Sequence, residues 1–252
     1  MARANYDQNT ESGKVSVLLP AYNEEDKIIN TVLRLLKELQ KQGRIYEIIV
    51  VDDGSTDRTR KTASLLQENP LIRVVGYGRN RGKGYALKYG LNYATGDYVA
   101  FMDSDADIQF STKLIDALQR SDVAIGSKRH PLSRVKQPRV RILLSAIFNL
   151  LTRALTELEI TDTQTGLKAF RRRQLVDIID LVSVERYAFD VELLLLAKLA
   201  GLRMCVLPVD IESNSLLGSE SMLGMLLDLI VVAVKLRTKW YQRRLKPSAN
   251  RC

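Results

Sequence analysis

Along the first half of the chain, short unbroken apolar runs alternate with stretches whose apolar residues recur every three or four positions. Val15–Leu19, Glu47–Val51, Ile72–Val75, Tyr98–Met102 and Val123–Ile125 read as five strands. Pro20 is expected to end the first. A helix follows, with Asn23 as its cap and Glu24, Glu25 and Asp26 in its first turn, where carboxylates meet the positive end of the dipole. Its apolar stripe is Ile28, Val32, Leu35, Leu36 and Leu39, and Gly43 lies beyond its end. Ser55 or Thr56 stands where it can cap a second helix to about Glu68, and the loop Gly76 to Gly84 leads into a third, through about Tyr93. Continuous apolar strands alternating with helices predict an α/β fold whose mostly parallel sheet is covered on both faces.

The second half reads as more helical. Arg141 to about Leu158 places Leu143, Ile147, Leu150, Ala154 and Leu158 at helical spacing. Tyr187 to Ala200 predicts another helix, ended by Gly201, after which Arg203–Leu207 can return to the sheet. From Met222 to Leu236 the chain is apolar nearly all round, interrupted by Asp228 and Lys235. It then turns basic at Arg237, Lys239, Arg243, Arg244 and Lys246. Spanning a bilayer takes ~20 apolar residues. The shorter run with a carboxylate inside it points to a helix lying in a membrane interface, or buried against the domain. The division expected is a flexible polar tail over 1–14, one catalytic domain over 15–215, and an amphipathic, basic helix and tail over 216–252.

Charge narrows the partners. The 252 residues carry 38 Lys and Arg against 29 Asp and Glu, a formal net charge of +9. That excess suits nucleic acid, an anionic membrane or a phosphorylated substrate. The basic residues are dispersed or stand beside apolar helices, without the aromatic interleaving of a single-strand platform, so no nucleic-acid partner is expected. Cys205 and Cys252 form no CxxC pair, which disfavours a zinc site or disulfide framework and fits a reducing compartment. His130 is the single histidine, which excludes a His-pair relay. Met1 to Lys14 holds no apolar segment, so no signal peptide is expected.

Ligands on parallel sheets bind beyond the carboxyl ends of strands, and two acidic clusters sit at such ends. Asp103-Ser104-Asp105-Ala106-Asp107 follows the fourth strand. Carboxylates at i and i+2 can converge on one hard cation, Mg²⁺ or Mn²⁺, whose other positions are filled by water and substrate phosphates. Asp103 with Asp105 is the first pairing and Asp107 the alternative partner; the bland reading is a solvated acidic turn. Asp52-Asp53-Gly54-Ser55 follows the second strand, where acids can accept from a base N–H or ribose hydroxyls and Gly54 admits close backbone approach. The glycine-rich loop fails as a P-loop, because Gly84 stands where Ser or Thr is required, and as a dinucleotide fingerprint, because it follows the third strand. Arg79, Arg81 and Lys83 remain candidate nucleotide contacts. Lys128 and Arg129 follow the fifth strand, with Arg134, Lys136, Arg139 and Arg141 soon after, which suits a phosphate clamp or a solvated basic loop.

Three motifs in order, each after a strand, resemble the inverting GT-A glycosyltransferases of family 2: Pro20-Ala21-Tyr22-Asn23-Glu24, Val51-Asp52-Asp53-Gly54-Ser55 and Phe101-Met102-Asp103-Ser104-Asp105. Arg141, Ser145 and Asn149 resemble the acceptor-side pattern of dolichyl-phosphate mannose synthases. The segments Asp162 to Lys168 and Val184 to Leu194 look closer to dolichyl-phosphate β-glucosyltransferases. The resemblance implies a GT-A fold and transfer of a hexose, glucose before mannose, from a nucleotide-sugar, UDP-glucose before GDP-mannose. The acceptor implied is a polyprenyl (dolichyl) phosphate at the cytoplasmic face of a membrane, with the protein peripherally attached.

Donor contacts then fall on Pro20, Tyr22, Glu24, Asp52, Asp53, Lys83, Asp103, Ser104 and Asp105, and acceptor-phosphate contacts on Lys128, Arg129, Arg141 and Ser145. Asp162 stands at the position often assigned as base. A lipid monophosphate is largely a dianion at neutral pH, its second pKa being ~6, so Asp162 is better suited to orienting an acceptor-side cation or the sugar. Two departures stand out. The family's Gly-Ser-Arg is Gly126-Ser127-Lys128 here, and its later Gly-Ser-Lys is Gly218-Ser219-Glu220, a charge reversal. A transferase acting on a different glycan, lipid or protein acceptor is the rival reading, and a non-catalytic basic binding protein stands behind it.

Overall fold

The computed structural model describes residues 13–41, 43–104, 109–212 and 219–245. Its centre is a seven-stranded sheet in the order β3-β2-β1-β4-β7-β5-β8. These strands are β1 (Val15–Ala21), β2 (Tyr46–Asp52), β3 (Ile72–Gly76), β4 (Tyr98–Met102), β5 (Val123–Ser127), β7 (Leu167–Arg171) and β8 (Met204–Pro208). Only β7 runs antiparallel, against both β4 and β5. Two short strands, β6 (Arg134–Lys136) and β9 (Asp210–Glu212), pair separately. The α/β class and the five expected strands are observed; β6, β7 and β9 are additions.

Both faces of the sheet are buried, as unbroken apolar strands require. On one face Val17, Leu19, Ile48 and Val50 pack with α1 (Ile28–Gln40), α2 (Thr59–Ser64) and α4 (Lys113–Ala117). On the other, Leu18, Ile49, Val51 and Phe101 pack with α3 (Lys83–Leu91), α6 (Arg172–Ile179) and α7 (Phe189–Leu199). That second face also receives α5 (Arg139–Thr156), α8 (Ser219–Arg237) and α9 (Trp240–Arg244), through Phe148, Leu229, Val232 and Tyr241.

Local chemistry corrects several boundaries. Pro20 does not end β1, which runs on to Ala21. Pairing with β4 stops at Leu18, so the proline sits where the strand has one neighbour, an edge-like position it tolerates. Asn23 is not a helix cap: α1 starts five residues later, and Asn23 takes a left-handed φ of 55° that asparagine tolerates. Its side chain accepts the Thr56 N–H (2.9 Å) and its own N–H donates to Ser55 Oγ (3.1 Å), so the loops after β1 and β2 are stitched together. Neither Ser55 nor Thr56 caps α2. Asp57 Oδ1 does the nearest equivalent, accepting the Thr59 N–H at 2.9 Å, and α2 gives way to a 3-10 turn over Leu65–Glu68.

Helix α5 turns its apolar stripe outward. The stripe Leu143, Ile147, Leu150 is exposed, with Leu143 at 61% and Leu150 at 67%, while Asn149, Thr152 and Thr156 are buried. Helix α8 likewise exposes Leu223, Leu227, Ile230, Val231 and Val234. No helix among the described residues is long and apolar enough to cross a membrane.

Candidate active site

The carboxyl ends of β1, β2 and β4 meet α5, α7 and α8 around a cavity of about 610 Å³. Pro20, Tyr22, Glu24, Asp53, Lys83, Asp103 and Ser104 line it from the ends of β1, β2 and β4 and the start of α3, Lys128 from the end of β5 and Ser145 from α5. Nine residues singled out in the sequence thus share one cavity. Asp105 and Asp107 lie outside the described residues, as does the side chain of Arg141. Asp52, Arg129 and Asp162 do not line the cavity.

Each absence has a local cause. Asp52 is buried, accepts the Ser55 N–H (3.3 Å) and packs against Gly76, where an added Cβ would fall 2.6 Å from the Asp52 carbonyl. Arg129 is exposed on the turn after β5, its N–H donated to Ser127 Oγ at 3.2 Å. Asp162 is fully buried, and its oxygens accept from Lys128 N–H (2.7 Å), Gln164 N–H (3.2 Å) and the Thr165 hydroxyl. The carboxylate therefore fixes the backbone that carries Lys128.

Asp53 shows how an acid at a strand end can serve a loop. Its two oxygens accept from Tyr77 Oη (2.8 Å), Arg81 N–H (2.7 Å), Asn80 Nδ2 (3.1 Å) and Gly82 N–H (2.9 Å), which wraps the glycine-rich loop around it. Burial, and then the bond to Asp53, raise the Tyr77 phenol above its ordinary range, so it stays a donor at neutral pH. Gly54 has φ +67° and a Cβ there would sit 2.2 Å from the Arg79 carbonyl carbon; the close approach it permits is that of this loop. Of the three loop cations, Lys83 alone lines the cavity. Arg81 instead pairs with Glu185 (3.3 Å) and lies over the Tyr85 ring.

Lys83 belongs to a chain of alternating charges. Its Nζ lies 2.8 Å from Asp103 Oδ1 and 3.0 Å from Asp190 Oδ2, and Lys168 Nζ lies 3.0 Å from Asp190 Oδ1. Burial works against the charge on Asp190, but Lys168 and Lys83 outweigh it and hold the carboxyl below its ordinary range. Burial also works against Lys83, yet Asp103 and Asp190 together raise it above the ordinary lysine value. Lys168 goes the other way: burial lowers it, and its one direct carboxylate is offset in part by the like charge of Lys83. Asp190 and Lys168 were not among the residues singled out. In sequence Asp190 looks like an ordinary first-turn acid of α7, and nothing links it to a strand lysine.

Asp103 is presented by the β4–β7 pairing. Its N–H donates to the Gly166 carbonyl (3.1 Å), and a Cβ on Gly166 would stand 1.8 Å from Asp103 Oδ2. Only a residue without a side chain leaves that carboxylate its place. A carboxylate held at the end of a strand and open to a cavity is a fit donor for a hard cation, which needs one or two such groups. Among the described residues no three His, Cys, Asp or Glu converge.

The glycosyl transferase family 2 model matches residues 16–178, more than half of the chain. The chain belongs to glycosyltransferase family 2. This family member is 30% identical to the dolichyl-phosphate β-glucosyltransferase of Saccharomyces cerevisiae, over 90% of this chain and 76% of that one. It is 34% identical to the protein of the same name in Drosophila melanogaster, over 90% and 77% of the two chains. Among solved structures, glucosyl-3-phosphoglycerate synthase of Mycobacterium tuberculosis with Mn²⁺, UDP and glucosyl-3-phosphoglycerate superposes with a TM-score of 0.68. That match is 23% identical and covers 89% of this chain and 80% of the other. The fold is GT-A, as the motifs implied, and the protein is a glycosyltransferase.

Proposed function

We propose that this glycosyltransferase moves glucose, with mannose as the second choice, from a nucleotide-diphosphate sugar to a polyprenyl phosphate, with inversion. UDP-glucose is the favoured donor. The observation that carries this is the make-up of the cavity: the charged Lys83, Asp103 and Lys128 share it with Ser145 and the apolar Leu144, Ile147, Phe148, Leu151 and Leu226. A phosphate at Lys128 would have its apolar chain leave between α5 and α8, whose outer residues are already exposed. The dolichyl-phosphate β-glucosyltransferases at 30–34% identity support the same donor sugar and acceptor.

Asp103, with Asp105 or Asp107, would hold Mg²⁺ or Mn²⁺, which supplies positive charge for the diphosphate leaving group. Lys83 places a second cation on the same side, held by Asp190, so departing charge meets preorganised partners. On the other side Lys128, fixed by Asp162, aims the acceptor oxygen at the anomeric carbon. The acceptor oxygen–carbon bond forms as the bond to the nucleoside diphosphate breaks, and the phosphate dianion needs no base. Positioning carries the rate. Basic residues near an anionic surface contribute ~1 kcal/mol each, so Arg237, Lys239, Arg243 and Arg244 beside the apolar faces favour peripheral attachment.

The test is a screen of UDP-glucose, GDP-mannose and other labelled donors with dolichyl phosphate, with and without Mn²⁺ or Mg²⁺. Label from UDP-glucose in the organic phase, dependent on the cation, is expected. Label that stays in the aqueous phase on a soluble acceptor would overturn the lipid acceptor.

A further inference from the structure

Helix α8 is apolar over most of its length, yet a carboxylate stands in its middle, and the reaction gives it no task. Asp228 is half-buried, and its Oδ2 accepts the N–H of Tyr187 (3.0 Å) and of Ala188 (3.2 Å). Those amides stand immediately before α7, where N–H groups lack intrahelical partners and a carboxylate meets the positive end of the helix. A short way back along the chain, the Glu185 carbonyl accepts Gly84 N–H (2.8 Å) and Tyr85 N–H (3.4 Å), and its carboxylate pairs with Arg81. Two residues onward from Ala188 stands Asp190, which holds Lys83.

The segment from Glu185 to Asp190 therefore grips α8 on one side and the glycine-rich loop on the other. Both grips are tight. A Cβ on Gly224 would lie 2.5 Å from Tyr187 Cε2, one on Gly84 2.4 Å from Phe189 Cδ2, and one on Gly82 2.7 Å from the Glu185 carbonyl oxygen. Little slack exists for the segment to move on one side without moving on the other.

We propose that Asp228 is a positioning residue for the donor side of the site, although it touches neither the cavity nor Lys83. It fixes the Tyr187–Ala188 amides, these fix Glu185 and Asp190, and those in turn hold the glycine-rich loop and the Lys83 ammonium. The seating of α8 and the order of the nucleotide-facing loop are then one coupled property. The ligand half of this inference rests on the nucleotide-sugar reading, while the mechanical half does not.

The experiment is amide hydrogen exchange on the full chain with Asp228→Asn, and with Gly224→Ala as a second disturbance of the same turn. Exchange in 79–86 and 183–190 is expected to quicken by about tenfold, because local opening is released there, while β2 keeps its wild-type protection as the check on folding. Affinity for UDP, read by calorimetry without acceptor or lipid, should weaken by about tenfold in parallel. Faster exchange confined to α8 and residues 187–188, with the 79–86 amides unchanged, overturns the proposal. Failure of UDP to bind the wild type would instead overturn the donor reading, with exchange still deciding the coupling.

Discussion

The two sides of the cavity use polar groups in opposite ways. Around the ends of β1, β2 and β4, acids at a strand end and at the start of α7 are matched by partners: Asp53 accepts four hydrogen bonds, and Asp190 lies between two lysines. On the other side, α5 turns Asn149, Thr152 and Thr156 inward and leaves Leu143, Ile147 and Leu150 outside. A helix facing water would be turned the other way. The first side holds its charges in fixed places by pairing them. The second leaves apolar side chains uncovered.

Changing the paired charges at the strand ends should cost most. Asp103→Asn is expected to lower hexose transfer by about 10³-fold, the scale of removing a group that stabilises departing charge, with the melting temperature nearly kept. An initial-rate assay decides it, and near-normal activity would move the metal function to Asp105 and Asp107. Lys168→Met leaves Asp190 with one cation fewer in a buried place. Stability should fall by about 3–5 kcal/mol, as for other buried pairs cut on one side, measured by urea unfolding. A loss no larger than that of a surface substitution would show the charge chain to be dispensable.

Gly166→Ala pushes on Asp103 without removing it. Misplacement of about 1 Å costs about 10²-fold in rate, so activity should fall that far while Mn²⁺ or Mg²⁺ in excess fails to restore it. Replacing Leu143, Ile147 and Leu150 together with Ser tests the other side. Each methylene that enters an apolar phase is worth ~0.8 kcal/mol, so binding to anionic vesicles should drop at least about tenfold at unchanged thermal stability; a drop in stability instead would mean the face is packed in solution. Asp162→Asn should act least, raising the acceptor KM by about tenfold through a loosened Lys128. An acidic limb of the pH–rate profile that vanished in this variant would make Asp162 the base after all.

The same contrast explains what could be read from the residues alone. Acids that end unbroken apolar strands stand out, so Asp53, Asp103 and the direction of the cleft were visible before any coordinates. Charge alone left Lys83 as one cation among three and the family resemblance picked it out; the wrapping of the loop around Asp53 is what brings it to the cavity while Arg81 turns to Glu185. Asp190 and Lys168 escaped because their pairing joins a helix start to a strand, a contact no local spacing records. Strand β7 escaped because Leu167–Arg171 is short and charged at two of its five positions. In α5 the periodicity disclosed a stripe but not which way it faced, since the outside of that helix is not matched to water.

The antiparallel β7 has a consequence for how the molecule is made. It fills the gap between β4 and β5, and it is synthesised after both. Until Leu167–Arg171 leaves the ribosome, β4 is a bare edge of the nascent sheet and β5 has neither of its partners, since β8 is made later still, so both are open to mispairing. The same insertion delivers Gly166 to Asp103. The joining of β4 to β5 and the placing of Gly166 against Asp103 are therefore one late, long-range folding event, slow by its contact separation. Nascent chains stopped short of β7 should thus be aggregation-prone and inactive at once, so quality control that senses exposed strand edges also screens for an unfinished active site.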